Sequence, residues 1–167
     1  MTNRNKVSRI AGLLYLGVVL TGIFSLMYVP SKLINHENAR LTFQNLQASE
    51  SLFRSGIASG LLCYTFFLFL PLVLYRLFRE INENMAKLMV ILALISVPMY
   101  FLNVQNELNV ISLLKVPGYF EGYNPVQIQS QALAYIYQYD NGMRLVHIFS
   151  GLWLFPFGYL VYKSDFL

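Results

Sequence analysis

The stretch "GIASGLLCYTFFLFLPLVLYRL", Gly56–Leu77, decides the fold. A bilayer core about 30 Å thick is crossed by about 20 predominantly apolar helical residues. This stretch reaches that length and carries no charge before Arg76. Its apolar residues run on without alternating, so a barrel strand with one polar face does not fit. In hydrocarbon every backbone polar group must be satisfied internally, which leaves the helix. Gly56, Gly60 and Pro71 would weaken a soluble helix, but in a membrane such residues are tolerated and allow close packing or kinks.

Three further stretches have the same character: Ile10–Val29, Leu88–Leu102 with a more polar continuation to about Leu114, and Leu145–Tyr162. The expected fold is all-α, a polytopic transmembrane helical bundle with four spans at about 10–29, 56–77, 88–114 and 145–162. A single membrane domain then covers 1–167, with 30–55 and 115–144 as extracytoplasmic loops that include candidate interfacial helices. Composition agrees. Only 12% of residues are charged while 56% are hydrophobic, against about 25% charged in soluble domains. The basic start before Ile10 looks like a secretory signal, but such signals have an apolar region of about 7–15 residues and a small-residue cleavage site. An uncleaved first helix fits better.

Basic flanks set the orientation. Arg4, Lys6, Arg9, Arg76, Arg79, Lys87 and Lys163 fall on one side, seven of the twelve Lys and Arg residues. Lys32, Arg40, Arg54, Lys115 and Arg144 are spread over the longer loops of the other. Both ends and the loop around "REINENMAK" are therefore expected in the cytoplasm, with the protein in the cell inner (plasma) membrane. Outside, Ala39, Phe43 and Leu46 share a helical face opposite Arg40, Gln44 and Gln47, as in an interfacial helix; a solvated loop is the alternative. The segment 115–142 carries Tyr119, Tyr123, Tyr135, Tyr137 and Tyr139, side chains suited to the headgroup belt. It is expected to cap the outer helix ends.

The function classes thin out quickly. The net charge of +4 is scattered, whereas a nucleic-acid binder clusters its basic residues, so no nucleic-acid partner is expected. One cysteine, Cys63, and two distant histidines, His36 and His147, supply neither a disulfide framework nor a set of metal ligands. Cys63 reads as a small apolar packer. No catalytic or phosphate-binding motif is present, so no catalytic residue, metal or cofactor is assigned. Polar residues inside spans remain, and these mark function by default. Asn103, Asn106 and Glu107 follow helical spacing near the outer end of the third span. About 1.5 Å per residue from Lys87 puts Glu107 about 30 Å up. Arg54, Arg144 and His147 fall at the same level. A ligand-binding pocket of Arg54, Asn103, Asn106, Glu107, Arg144 and His147 follows, with Arg54 holding an anionic group and Glu107 as its counter-charge. The competing explanation is a packing clamp between helices, or arginines that snorkel to headgroups.

Several stretches together resemble the DUF4386 family of bacterial membrane proteins of unknown function. They are "RIAGLLYL" (Arg9–Leu16), "SKLI" (Ser31–Ile34), "SLFRSGIASGLL" (Ser51–Leu62), "LYRLFREINENMAKLMV" (Leu74–Val90) and "GLWLFPFGYLVYKSDFL" (Gly151–Leu167). The resemblance spans essentially the whole chain and implies an α-helical membrane protein, usually of about six spans, without implying a reaction. Arg54 and Trp153 fall in its recurrent motifs, while Glu107, Arg144 and His147 lie in its more variable parts. Family members generally continue with a proline and further apolar helices, so a truncated chain is expected here. Trp153 is expected to pack in the bundle, Pro156 to bend the last helix, and Tyr159, Tyr162 and Lys163 to anchor its end.

The leading expectation is a non-enzymatic membrane protein whose partners are the lipid bilayer and a small ligand or membrane-protein partner. The alternatives are a transporter or channel component, which needs a polar path through the full thickness, and an intramembrane enzyme acting on lipid.

Overall fold

A computed structural model describes residues 3–115 and 124–164. It is all-α, with no strand among the described residues: α1 (Asn3–Ile23), a π-helical turn (Phe24–Tyr28), α2 (Val29–Leu33), α3 (Ala39–Ala48), α4 (Glu50–Phe78), α5 (Glu83–Lys115), α6 (Pro125–Leu152) and α7 (Leu154–Lys163). Four helical stretches are long and apolar enough to cross a membrane: Arg4–Leu33, Glu50–Phe78, Glu83–Leu114 and Pro125–Lys163.

Prolines explain the interruptions. Pro30 has no N–H for the carbonyl four residues back, and its ring crowds that turn. The π-turn before it widens the helix by one residue, with the Val29 N–H donating to Phe24 O. Pro156 acts likewise one turn before itself: α6 ends at Leu152, and α7 begins after Trp153. Pro71 and Pro98 stay inside unbroken helices.

The bundle is an open row. α1 packs on α4, α4 on α5, and α5 on both α6 and α7. Lipid tails are as apolar as the helices, so close van der Waals approach at small residues must hold them together. A Cβ on Gly60 would collide with the Tyr100 hydroxyl, one on Gly142 with the Asn103 amide, and one on Gly56 would lie 2.9 Å from a Val29 methyl. Tyr100 stacks on Tyr64 at 3.8 Å and 6°. Toward the other end Trp153, 5% exposed, sets its ring edge-on against Phe67 at 5.6 Å. The expected burial of Trp153 is what the structure has.

One segment differs in extent from the sequence expectation, and another takes the helical one of its two expected forms. The fourth helix starts at Pro125, well before Leu145, because Asn124 caps it. Asn124 accepts from the Gln127 N–H, Gln127 answers on the Asn124 N–H, and proline follows the cap. Tyr135, Tyr137 and Tyr139 therefore extend a helix and form no loop over it; Tyr119 and Tyr123 lie outside the described residues. α3 forms as a helix with the expected division of faces, Phe43 and Leu46 buried and Arg40, Gln44 and Gln47 exposed. It packs on α6.

Replacing Gly60 by alanine is expected to cost about 1–3 kcal/mol through overpacking. Gly12→Ala, where a Cβ meets nothing within 4 Å, is expected to be neutral or to stabilise by up to about 1 kcal/mol. Unfolding midpoints in detergent micelles measure both.

Candidate functional site

Polar side chains gather where the π-turn, α4, α5 and α6 meet. Asn103, 9% exposed, donates from Nδ2 to the Tyr139 carbonyl at 2.8 Å. Its Oδ1 accepts from Asn106 Nδ2 at 3.1 Å. Gly142 makes room for this amide, so the α5–α6 contact is a hydrogen bond seated in a glycine notch. Tyr100, one turn before Asn103, lies within hydrogen-bonding reach of Tyr139.

One turn beyond Asn103 stands Glu107. Its Oε2 is buried and has no hydrogen-bond partner, the one such side-chain atom among the described residues. It borders a cavity of about 30 Å³ walled by Ser25 of the π-turn, Phe53 and Gly56 of α4, Val110 of α5, and Tyr139 and Asp140 of α6. That volume holds one or two waters or a group of similar size. An ionised carboxylate oxygen without a donor is costly in low dielectric, so the geometry offers an acceptor and little room.

Asp140 links this cavity to the loop before α3. His36 Nδ1 lies 3.7 Å from Asp140 Oδ2, and the Tyr137 hydroxyl donates to the His36 carbonyl at 2.7 Å. Thr42 fixes that loop, accepting from the Asn35 N–H at 2.8 Å and donating to the Asn35 carbonyl at 2.7 Å.

The residues expected to converge do so only in part. Asn103, Asn106 and Glu107 lie together on α5. Arg54 instead bonds Glu50 on its own helix, Nε to Oε1 at 2.6 Å, so the anticipated pairing with Glu107 is not formed; a carboxylate one turn away wins over one on another helix. Arg144 is exposed. His147 faces away, lining an apolar groove of about 400 Å³ between α1 and α6 together with Val18, Gly22, Cys63, Tyr64 and Ser150. Ser25, Tyr139, Asp140 and His36 were not anticipated. Asp140 carries a faint signal, lying four residues before Arg144 on one helical face. His36 carries none, since only the fold of the loop brings it to α6.

A family model described as "Domain of unknown function (DUF4386)" matches residues 10–167. No curated protein and no solved structure matches the chain.

Asn103→Leu removes the bond to Tyr139 and is expected to cost about 0.6–2 kcal/mol, the range of interhelical hydrogen bonds in membranes. Gln105→Leu, at an exposed position on the same helix, is expected to stay within about 0.5 kcal/mol. Equilibrium unfolding in micelles reads the difference.

Proposed function

The chain belongs to the DUF4386 family, and from that premise we propose a multi-pass protein of the plasma membrane, N-terminus in the cytoplasm, that acts by binding rather than by catalysis. Its ligand presents a small hydrogen-bond-donating or cationic group, such as a primary ammonium, to Glu107 at the outer end of the bundle. Asn103 and Asn106 hold α5 so that Glu107 faces the cavity, and Asp140 adds a second carboxylate.

The observation that carries this reading is the buried, unpartnered Oε2 of Glu107. A clamp would have spent that oxygen on a neighbouring helix. The cavity of about 30 Å³ limits what enters to a head group, so a larger ligand must remain largely outside it. The N-terminus and the basic loop carry the denser charge, which supports the orientation. The transporter alternative needs the layer beneath to open, where Tyr64 stacks on Tyr100 and Phe67 meets Trp153.

Thermal unfolding in nanodiscs tests the proposal with methylammonium chloride as probe and tetramethylammonium chloride, bulkier and without donors, as control at equal ionic strength. Methylammonium is expected to raise the midpoint of the native chain and tetramethylammonium to leave it unchanged. Glu107→Gln loses the shift. Glu107→Met is expected to be as stable as the native chain or more so, because an apolar isostere removes an unsatisfied buried group. A Glu107→Met protein destabilised by more than about 2 kcal/mol would make Glu107 a packing element, and equal responses to both salts would end the binding assignment.

A further inference from the structure

The end of the bundle that holds the N-terminus presents a second, unrelated site. Arg4 of α1, Arg76 of α4, Arg79 after it and Lys163 of α7 line one bowl of about 610 Å³, with Glu80 as the carboxylate among them and the Ser164 hydroxyl nearby. Arg76, Arg79 and Lys163 are exposed. Basic residues at this level are ordinary for helix flanks, and scattered ones would attract any anionic surface weakly. Here they come from three separate elements into one concavity.

The same three elements border a second feature one to two turns deeper in the bundle. Ala11, Gly12 and Tyr15 of α1, Leu70 and Leu74 of α4, and Leu154, Phe157 and the intervening Trp153 enclose an apolar cleft of about 330 Å³. Along α1 the cleft residues follow the bowl residues Arg4 and Val7. Along α4 and α7, which run the opposite way, they precede Arg76 and Lys163. All three elements therefore place the cleft above the bowl, on its hydrocarbon side. α1 packs on α4 and α7 on α5, which leaves the slot between α1 and α7.

We infer that this end of the bundle binds an anionic glycerophospholipid of the adjoining leaflet, its phosphate in the bowl of Arg76, Arg79 and Lys163 and one acyl chain in the cleft beside Trp153. Guanidinium groups suit phosphate because they offer paired donors in a fixed fork. Basic pockets between transmembrane helices on the cytoplasmic side are suited to phospholipid head groups. An apolar chain beside Gly12 and Leu74 keeps the head group at the level of the arginines. A soluble phosphate would satisfy the bowl alone and leave the cleft without a role.

Trp153 is the sole tryptophan of the chain, and its place in the cleft makes it a direct reporter. The full chain is reconstituted in phosphatidylcholine vesicles, and its fluorescence is titrated with phosphatidylglycerol brominated on the acyl chains or with equally brominated phosphatidylcholine. The anionic lipid is expected to quench Trp153 at about a tenfold lower mole fraction. Arg76→Gln/Arg79→Gln should abolish that preference, since each basic residue is worth about fivefold in affinity for anionic lipid. Gly12→Leu projects into open space and should fill the cleft, reducing quenching by either lipid while circular dichroism and the unfolding midpoint remain native. Equal quenching by the two lipids, or an unchanged preference in the arginine variant, overturns the site. If millimolar inorganic phosphate erases the preference where sodium chloride of equal ionic strength does not, the bowl is a soluble-anion site and the lipid assignment falls.

Discussion

Helix α5 is fastened on both flanks by polar side chains that reach into places where a glycine has removed a Cβ. On one flank the Tyr100 ring lies flat on Tyr64 and its hydroxyl occupies the space left at Gly60. On the other the Asn103 amide fills the notch at Gly142 and bonds a carbonyl of α6. In a medium as apolar as the helices, burial of carbon is no reason for two helices to stay together. Close approach and a shielded hydrogen bond are. Since α4, α6 and α7 all pack on α5, these contacts position most of what the rest of the bundle can do, including the cavity one turn above Asn103.

The two ends of the molecule use polar groups in opposite ways. At the end bearing Pro30 and Asp140, a few acceptors are enclosed in a space hardly larger than a water. At the end bearing the N-terminus, several cations stand open around a wide bowl, with apolar surface behind them. Enclosure selects by size and donor count, because an imperfectly paired group is left costly in low dielectric. An open basic bowl selects by charge, and is sensitive to salt.

How much of this was legible in the sequence follows from what each feature depends on. The four spans rest on composition over about 20 residues, a signal that tertiary context cannot reverse in a lipid-facing chain. The start of α6 at Pro125 is also written locally, in the capping residues Asn124-Pro125-Val126-Gln127, but the tyrosines that follow suit a surface cap as well as a helix. The placement of Arg54 turned on a competition. Depth alone put it level with Glu107, yet Glu50 lies four residues away on the same helix and needs no tertiary contact to reach it. His36 beside Asp140 was not legible at all, because sequence gives no distance between a loop and a helix a hundred residues on. Height and helical phase were both unknown. His147 lines a groove with Cys63, Tyr64 and Phe67 of α4, whereas Glu107 borders Phe53 and Gly56 of the same helix and Asp140 of α6. Span length does not reveal that offset of about two turns.

The π-turn ahead of Pro30 changes how the first span can be read. One extra residue in a turn shifts every later side chain by about a third of a revolution, since an α-helix advances about 100° per residue. Contact with α4 nonetheless runs on through the turn: Gly22 meets Cys63, Ser25 lies beside Gly60 and Val29 against Gly56. The span behaves as two short keys cut on one shaft, and a single-residue deletion within Phe24–Tyr28 would leave each key intact while setting them at the wrong angle to each other.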